Sequence, residues 1–198
     1  MKQKINLRFL VAAIFMILMS FSIIHCKAES QSGVSPEKTY NIRDTGPAGG
    51  LVFYDKGHYS SGWRYLEAAP QTTEWTAQWG KHGTTIGGTS IEIGTGKDNT
   101  DLIVTKLNLT PAESGRAAQL CKELSHNGYS DWFLPSIYEL NQMYLNLKQH
   151  GVGNFANDSY WSSSETDSSF AALEYLSDGN MNTFSKTSNV LVRAVRAF

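Results

Sequence analysis

The segment Tyr129-Ser130-Asp131-Trp132-Phe133-Leu134-Pro135-Ser136 carries the clearest information about how this chain folds. Its bulky apolar run, 132–134, is typical of a short buried strand, and Pro135 ends that strand because it lacks a backbone N–H donor. Ser136 and Glu139 have the spacing of a capping box, in which each side chain accepts a hydrogen bond from the other residue's backbone N–H. The segment therefore predicts a buried strand followed at once by a helix.

The residues after Ser136 continue the pattern of an amphipathic helix. Leu140, Met143 and Leu147 recur at helical spacing, and Gly151 is a typical residue for a helix end. Strand, proline and capped helix are thus predicted within about twenty residues.

Two further helices are predicted upstream of this segment. Asn99 is suited to cap a short helix. Thr110, with Pro111 at the first helical position and Glu113 at the third, predicts a longer helix that runs through Leu124.

The remaining segments read as strands, turns and one long insertion. Asp55, Lys56 and Gly57 are predicted to form a turn, and 71–97 is predicted to be a loop-rich insertion. The final segment is predicted to be one strand that fixes the chain end in a sheet. The predicted strands are 51–54, 63–69, 160–165, 170–176, 181–184 and 190–198.

The first residues have the composition of an export signal. Lys2, Lys4 and Arg8 precede an uncharged apolar run that ends shortly before Cys26. This arrangement resembles a bacterial lipoprotein signal, so we expect 1–25 to be removed and Cys26 to carry lipid. An ordinary signal peptide and an uncleaved anchor helix are the alternatives.

The predicted lipid would hold the protein at a bacterial membrane, either the outer membrane or the cell surface, without a spanning segment. The residues from 26 to 39 are rich in Ser, Gln and Gly and predict a flexible tether. A single folded domain is expected over 40–198, because a chain of 198 residues with 41% hydrophobic content supports one core.

Charge argues against a nucleic-acid partner. Removal of the three basic residues in 1–25 lowers the count of Lys and Arg from 17 to 14 against 18 Asp and Glu, which gives a net charge of −4. Proteins that bind nucleic acid normally present a basic face. The balance therefore points to another class of partner.

Cys121 lies among apolar residues of a predicted helix. With lipid on Cys26, this thiol has no disulfide partner. It is either a small buried hydrophobic residue or a reactive thiol.

Six motifs, in order along the chain, resemble those of one known family. They are Thr45-Gly46-Pro47-Ala48-Gly49-Gly50, Trp63-Arg64-Tyr65-Leu66-Glu67-Ala68, Ile93-Gly94-Thr95-Gly96-Lys97, Asp131-Trp132-Phe133-Leu134-Pro135-Ser136, Tyr160-Trp161-Ser162-Ser163-Ser164 and Arg193-Ala194-Val195-Arg196. Over about 40–198, the chain resembles the C-terminal (Lcl-type) domain of bacterial collagen-like adhesins.

That resemblance implies an α+β fold similar to C-type lectins, with an antiparallel sheet, two principal helices and long loops. It also implies adhesion outside the cytoplasm, with sulfated glycans as the best-known ligand class. The chain lacks the Gly-X-Y stalk of these adhesins. It also lacks the Glu-Pro-Asn and Gln-Pro-Asp tripeptides of calcium-dependent lectins, so no calcium, other metal or cofactor is implied.

The leading hypothesis is a tethered domain that binds an extracellular glycan or a matrix protein through its loops. Trp75 and Trp79 belong either to the core or to a platform on which a sugar stacks. Trp132 and Trp161 are expected in the core, and no residue is expected to be catalytic. The candidate binding residues are Trp75, Trp79, His82, Asn157, Asp158, Glu165, Asp167, Asn180 and Asn182.

Two alternatives remain at this stage. One is a structural envelope lipoprotein that binds a protein or peptidoglycan. The other is an enzyme similar to the formylglycine-generating oxidases, with Cys121 beside Glu123 or His126. The resemblance implies that this chemistry requires a pair of cysteines, whereas the predicted exported domain contains a single unlipidated cysteine.

Overall fold

The computed structural model describes residues 38–198, and Thr39–Phe198 form one compact unit. The predicted signal 1–25, the predicted lipidation site Cys26 and nearly all of the predicted tether lie outside the described residues. In the described part, no helix has the length and apolar character that a membrane crossing requires.

The fold over 38–198 is mixed α+β, as predicted, with eight strands in two sheets and three α-helices. Two short 3₁₀ turns, Gln71–Thr73 and Lys148–His150, complete it. In chain order the elements are β1 (Leu51–Ser60), β2 (Trp63–Ala68), β3 (Trp75–Ala77), α1 (Gly96–Leu107), α2 (Ala117–Glu123), α3 (Ile137–Asn146), β4 (Ser159–Glu165), β5 (Phe170–Tyr175), β6 (Asn180–Ser185), β7 (Val190–Val192) and β8 (Val195–Ala197).

The two sheets share the C-terminal segment of the chain. One sheet has the strand order β1-β2-β8, and the other has the order β3-β7-β4-β5-β6. The pairs within them are antiparallel except for β4 with β7, which is parallel. The last two strands of the chain, β7 and β8, therefore complete one sheet each.

The prediction of one continuous C-terminal strand is wrong, because Arg193 and Ala194 separate β7 from β8. The Arg193 guanidinium turns inward, where Nε donates to Glu74 Oε2 at 2.9 Å and Nη1 donates to the carbonyls of Ala69 and Gly153 at 3.1 Å. These buried hydrogen bonds satisfy the cation at the point where the chain passes from one sheet to the other.

Two buried clusters form the core. Ile103 and Leu107 of α1 pack in the cluster that contains Trp161 and Leu173 of the five-stranded sheet. Phe53 and Leu66 of the three-stranded sheet pack with residues of α3, including Leu140 and Met143. Each fully buried side chain of this size contributes roughly 1.5–3 kcal/mol of burial free energy.

The predicted capping box is present at the start of α3. The Ser136 N–H donates to Glu139 Oε2 at 2.7 Å, and the Glu139 N–H donates to Ser136 Oγ at 3.3 Å. The residues before it are buried, as predicted, although only Phe133 pairs, in a bridge with Val195. The segment is thus extended and joined to β8 at a single residue.

The predicted cap of the first helix is wrong by four residues, because Thr95 and not Asn99 is the N-cap. Helix α1 begins at Gly96, and Asn99 lies inside it. The Asn99 side chain is engaged elsewhere, because Oδ1 accepts from the Ser90 N–H at 2.8 Å and Nδ2 donates to Ser163 Oγ at 3.1 Å. Asn99 therefore joins a loop and β4 to the helix instead of capping it.

The predicted start of the second helix is also wrong. Helix α2 begins at Ala117 and not after Thr110. The Glu113 carboxylate accepts from the Lys81 N–H and from Arg116 Nε, so it cannot cap Thr110. Glu113, the residue predicted to complete the cap, instead holds the backbone of Lys81 in a loop distant in sequence.

The predicted turn at Asp55 to Gly57 is wrong as well. Strand β1 continues to Ser60 with a shift of register after Asp55, and Ser61 and Gly62 form the turn. The Asp55 carboxylate pairs with Arg64 at 2.8 Å across the hairpin, which stabilises the longer strands.

Candidate functional site

Buried glutamates hold three of the glycine-rich loops that the sequence presents. Glu67 on β2 accepts hydrogen bonds from the backbone N–H groups of Ala48 at 3.2 Å and Gly50 at 3.1 Å. Arg196 Nη1 donates to the same carboxylate at 2.9 Å. Glu67 and Arg196 therefore anchor the loop at 45–50 to the three-stranded sheet.

Glu139 holds the second loop while it also caps α3. Its Oε1 accepts from the Gly94 N–H at 2.8 Å and from the Gly96 N–H at 3.4 Å. Burial raises the pKa of the Glu139 carboxyl to about 7, against the lowering effect of hydrogen bonds from Ser136, Gly94 and Gly96. This loop, too, is held by the fold.

Glu165 holds the third loop, together with Lys186. Its oxygens accept from the N–H groups of Ile86 at 2.7 Å and Gly87 at 2.8 Å, and Lys186 Nζ lies 2.6 Å away. The Lys186 ammonium also lies over the Trp79 ring, 4.7 Å from its centroid. The arrangement is a buried structural cluster.

This cluster removes two residues from the predicted binding set. Trp79 is 1% exposed, and its Nε1–H donates to the Ser162 carbonyl at 2.8 Å, so the core alternative describes it. The Glu165 side chain is 5% exposed and fully engaged. Neither residue offers a surface to a ligand, because tertiary packing covers both.

The other candidates separate toward the two ends of the five-stranded sheet. His82 and Asp167 are exposed at the end where β4 and β5 are joined. Hydrogen bonds from the Ser169 and Phe170 N–H groups lower the pKa of Asp167. Asp167 is thus a turn residue whose carboxylate caps local backbone.

The candidates at the opposite end include the residues before β4 and at the start of β6. Asn157, Asp158 and Asn180 are exposed there, and Asn182 lies farther along β6. Trp75 is half-buried on β3 and pairs with Val192. The nine candidates therefore do not form one site.

A depression on the five-stranded sheet brings one of them, Asp158, together with two aromatic residues, the exposed Phe184 and the half-buried Tyr175. Its volume is about 310 Å³, and β3, β4, β5, β6 and β7 or their ends all contribute to it. We call it the sheet depression. It is lined by Thr76, Asp158, Ser159, Tyr175, Phe184, Asn189, Val190 and Leu191.

The chemistry of the sheet depression combines two aromatic rings with a polar rim. Phe184 is 44% exposed and Tyr175 is half-buried. Asp158, Asn189 and Thr76 supply a carboxylate, an amide and a hydroxyl. Such a surface can stack against an apolar face and hydrogen-bond a polar edge of the same ligand.

His82 lines a different depression, of about 230 Å³, beside Lys81 and Lys106. Lys81 is buried, and its Nζ donates to the carbonyls of Leu109 and Pro111. The Lys81 ammonium is thus satisfied by the protein itself.

Cys121 is fully buried, and burial raises the pKa of its thiol far above the ordinary value. The thiol is therefore protonated and covered. Over the described residues, no three His, Cys, Asp or Glu side chains are grouped so that they could hold a metal ion.

The family model of the Lcl C-terminal domain matches residues 56–196, which is more than two thirds of the chain. The chain belongs to the Lcl C-terminal domain family. The Lcl C-terminal domain is of an extracellular or secreted type. None of the curated proteins compared with this chain matches it.

All eight residues that line the sheet depression fall inside the span of the Lcl C-terminal domain. Of these eight residues, only Asp158 is among the candidates predicted from the sequence. A usable signal existed, because Phe184 follows Asn180 and Asn182 at the two-residue period of a strand and so lies on the same face. Tyr175 shares that face through its pairing with Asn180.

Proposed function

We propose that this chain is an exported, membrane-tethered domain that adheres to extracellular glycans through the sheet depression. The observation that carries the proposal is the presence of Tyr175 and Phe184 in one concave patch with Asp158 and Asn189. Sugar rings present apolar faces that stack on aromatic rings and hydroxyls that bond to carboxylate and amide groups.

The lining also predicts which glycans bind best. Asp158 is its one charged residue, and no Lys, Arg or His contributes to it. A sulfate ester would meet a carboxylate there without a cation to neutralise it. We therefore expect neutral glycans to bind more tightly than sulfated ones, in contrast to the ligand class that the family resemblance implies.

The tether in this proposal is lipid on Cys26, followed by the polar segment that ends where the compact unit begins at Thr39. The family's extracellular or secreted type supports export. A protein held in this way presents its domain to the outside of a bacterial membrane.

The burial of Cys121 supports binding over thiol chemistry. A nucleophilic cysteine needs a thiolate that a substrate can reach. Cys121 has a raised pKa and no exposed surface. We therefore propose that the chain is not an enzyme.

The experiment is binding of the purified protein to an array of neutral and sulfated glycans at low and at physiological salt. Saturable binding to neutral glycans that survives physiological salt is the expected result. Binding to sulfated glycans alone, lost as salt rises, would place the contact outside the sheet depression. Absence of binding across the array would overturn the glycan proposal, and capture from envelope extract would then test a protein or peptidoglycan partner.

A further inference from the structure

Strand β6 is an exposed edge of the five-stranded sheet. It pairs with β5 through six consecutive residue pairs without a shift of register, and it is the last strand in the sheet order. Asn180 to Phe184 are all exposed and Ser185 is half-buried. Within the described residues, therefore, no other segment covers either face of this strand.

Alternate residues of β6 direct their backbone N–H and C=O groups toward β5 and away from it. The Lys186 N–H donates to the Ser169 carbonyl, so the backbone of Lys186 faces β5. Because backbone direction alternates along a strand, Phe184, Asn182 and Asn180 face β5 as well. The backbone groups of Met181, Thr183 and Ser185 then face outward, toward the open side of the sheet. Two of them have local partners, because the Thr183 N–H donates to Asn182 Oδ1 at 2.8 Å and the Ser185 carbonyl accepts from the Ser188 N–H at 2.9 Å. Pairing with another strand would replace the first of these bonds and add a second donor to the Ser185 carbonyl.

The edge lacks the features that normally keep sheet edges apart. No residue from Asn180 to Ser185 is charged, none is proline, and the strand has no bulge. It also exposes large apolar side chains, with Met181 43% and Phe184 44% exposed. Phe170, which pairs with Ser185, is 43% exposed beside it.

We propose that a second copy of this chain pairs with β6, antiparallel and about a two-fold axis at Thr183. In this register outward-facing residues stand opposite each other, which an antiparallel ladder requires. Thr183 then faces the second copy's Thr183, and Met181 faces its Ser185. The two Phe184 rings become diagonal neighbours on one face, at a separation that aromatic side chains can bridge.

The predicted exported part of the chain carries a net charge of −4, so two copies repel each other overall. The charge at β6 itself does not oppose pairing with a second copy. The paired strands bring only neutral residues opposite each other from Met181 to Ser185, so no like charges meet at the centre of the contact. Threonine pairs directly opposite each other can also exchange a side-chain hydrogen bond. The strand is therefore complementary to itself in charge and in exposed apolar surface.

The pairing joins two five-stranded sheets into a continuous sheet of ten strands. The two-fold axis of an antiparallel pair runs perpendicular to the sheet, so both copies present the same face on the same side. The two sheet depressions, each lined by its own Phe184, then lie on one surface.

The test uses charges placed at the axis. Thr183→Lys and Thr183→Glu each set two like charges against each other, and an equimolar mixture of the two variants sets opposite charges together. Sedimentation velocity over a concentration series measures self-association of the purified protein and of each variant. Thr105→Lys, at an exposed threonine of α1, is the matched control for an added charge.

The expected result is a dimer in the unmodified protein and in Thr105→Lys. Either Thr183 variant alone should dimerise at least about tenfold more weakly, and the mixture should recover association. Melting temperatures close to that of the unmodified protein show that the variants are folded. A protein that stays monomeric at high concentration overturns the proposal, as does a dimer that both single variants leave unchanged or a mixture that fails to recover.

Discussion

Nζ of Lys186 lies 2.6 Å from Oε1 of Glu165, and the two side chains are 0% and 5% exposed. The pair joins the end of β6 to the end of β4, and the same carboxylate holds the loop at Ile86 and Gly87. A buried cation and anion of this kind depend on each other, because neither can regain water while the domain is folded.

Replacement of this lysine should therefore be costly. We expect Lys186→Met to lower the free energy of unfolding by about 3 kcal/mol, because it leaves the Glu165 carboxylate buried without its cation. Lys97→Met is the control, since Lys97 lies 3.9 Å from Asp101 in an exposed pair and should change stability by less than about 0.5 kcal/mol. Urea denaturation measures both, and equal losses would contradict a structural role for the buried pair.

Glu139 should stabilise the loop at Gly94 and Gly96 through its second oxygen. In Glu139→Gln, one amide N–H₂ group faces a backbone N–H donor, and we expect a loss of about 2 kcal/mol. Hydrogen exchange at Gly94 and Gly96 should accelerate. Glu92→Gln, at an exposed glutamate of the same loop, is the control, and unchanged exchange in Glu139→Gln would refute the anchoring role.

Glu174 should make stability depend on pH. Its Oε1 accepts from Asn141 at 3.0 Å, its Oε2 has no hydrogen-bond partner among the described residues, and burial raises its pKa to about 7. Its folded-state pKa is thus above the unfolded value of 4.5. As pH rises from 4.5 to 7, the unfolded chain loses this proton first, and the folded state loses stability.

Glu174→Gln removes that titration. We expect the variant to be more stable than the unmodified protein by about 2–3 kcal/mol at pH 8, with little difference at pH 4. Unfolding at the two pH values measures the change, with exposed Glu123→Gln as the control. A difference that is the same at both pH values would show that Glu174 acts through packing alone.

The proposed glycan site predicts a selective effect of aromatic residues. Tyr175→Ala and Phe184→Ala should each weaken binding to neutral glycans by about tenfold or more, since each removes a stacking surface. Phe170→Ala removes an exposed aromatic ring that does not line the sheet depression and should leave affinity unchanged. Isothermal titration measures all three, and a comparable loss in Phe170→Ala would count against the site.

Interactions close in sequence were predictable, and those that depend on distant residues were not. Ser136 and Glu139 are three residues apart, so their capping box could be read directly. The bonds from Glu139 to Gly94 and Gly96 span 45 and 43 residues, and no local pattern reveals them. The same limit explains the second helix, whose predicted cap was displaced when Glu113 bound Lys81.

For the candidate site, the sequence predicted which residues are exposed but not which of them lie together. The polar turn residues were correctly placed on the surface, as Asp158 and Asn180 show. Their grouping was not predictable, because the sheet depression arises from strands that are far apart in the chain. For Trp79 the sequence could not distinguish a core residue from a binding residue, because an aromatic residue in a loop-rich segment has the same local pattern in both cases. The structure places Trp79 in the core.

The order in which the sheets are completed affects synthesis of the protein. Strand β2 pairs with β8, and β3 and β4 pair with β7, so neither sheet is complete until about residue 197 has been made. The hairpin of β1 and β2 must therefore wait for a partner more than a hundred residues downstream, which is a slow kind of contact to form. Neither sheet can therefore be completed while the ribosome still holds the last residues of the chain. For the export that we propose, this delay would leave the domain incomplete when the chain reaches a translocation channel.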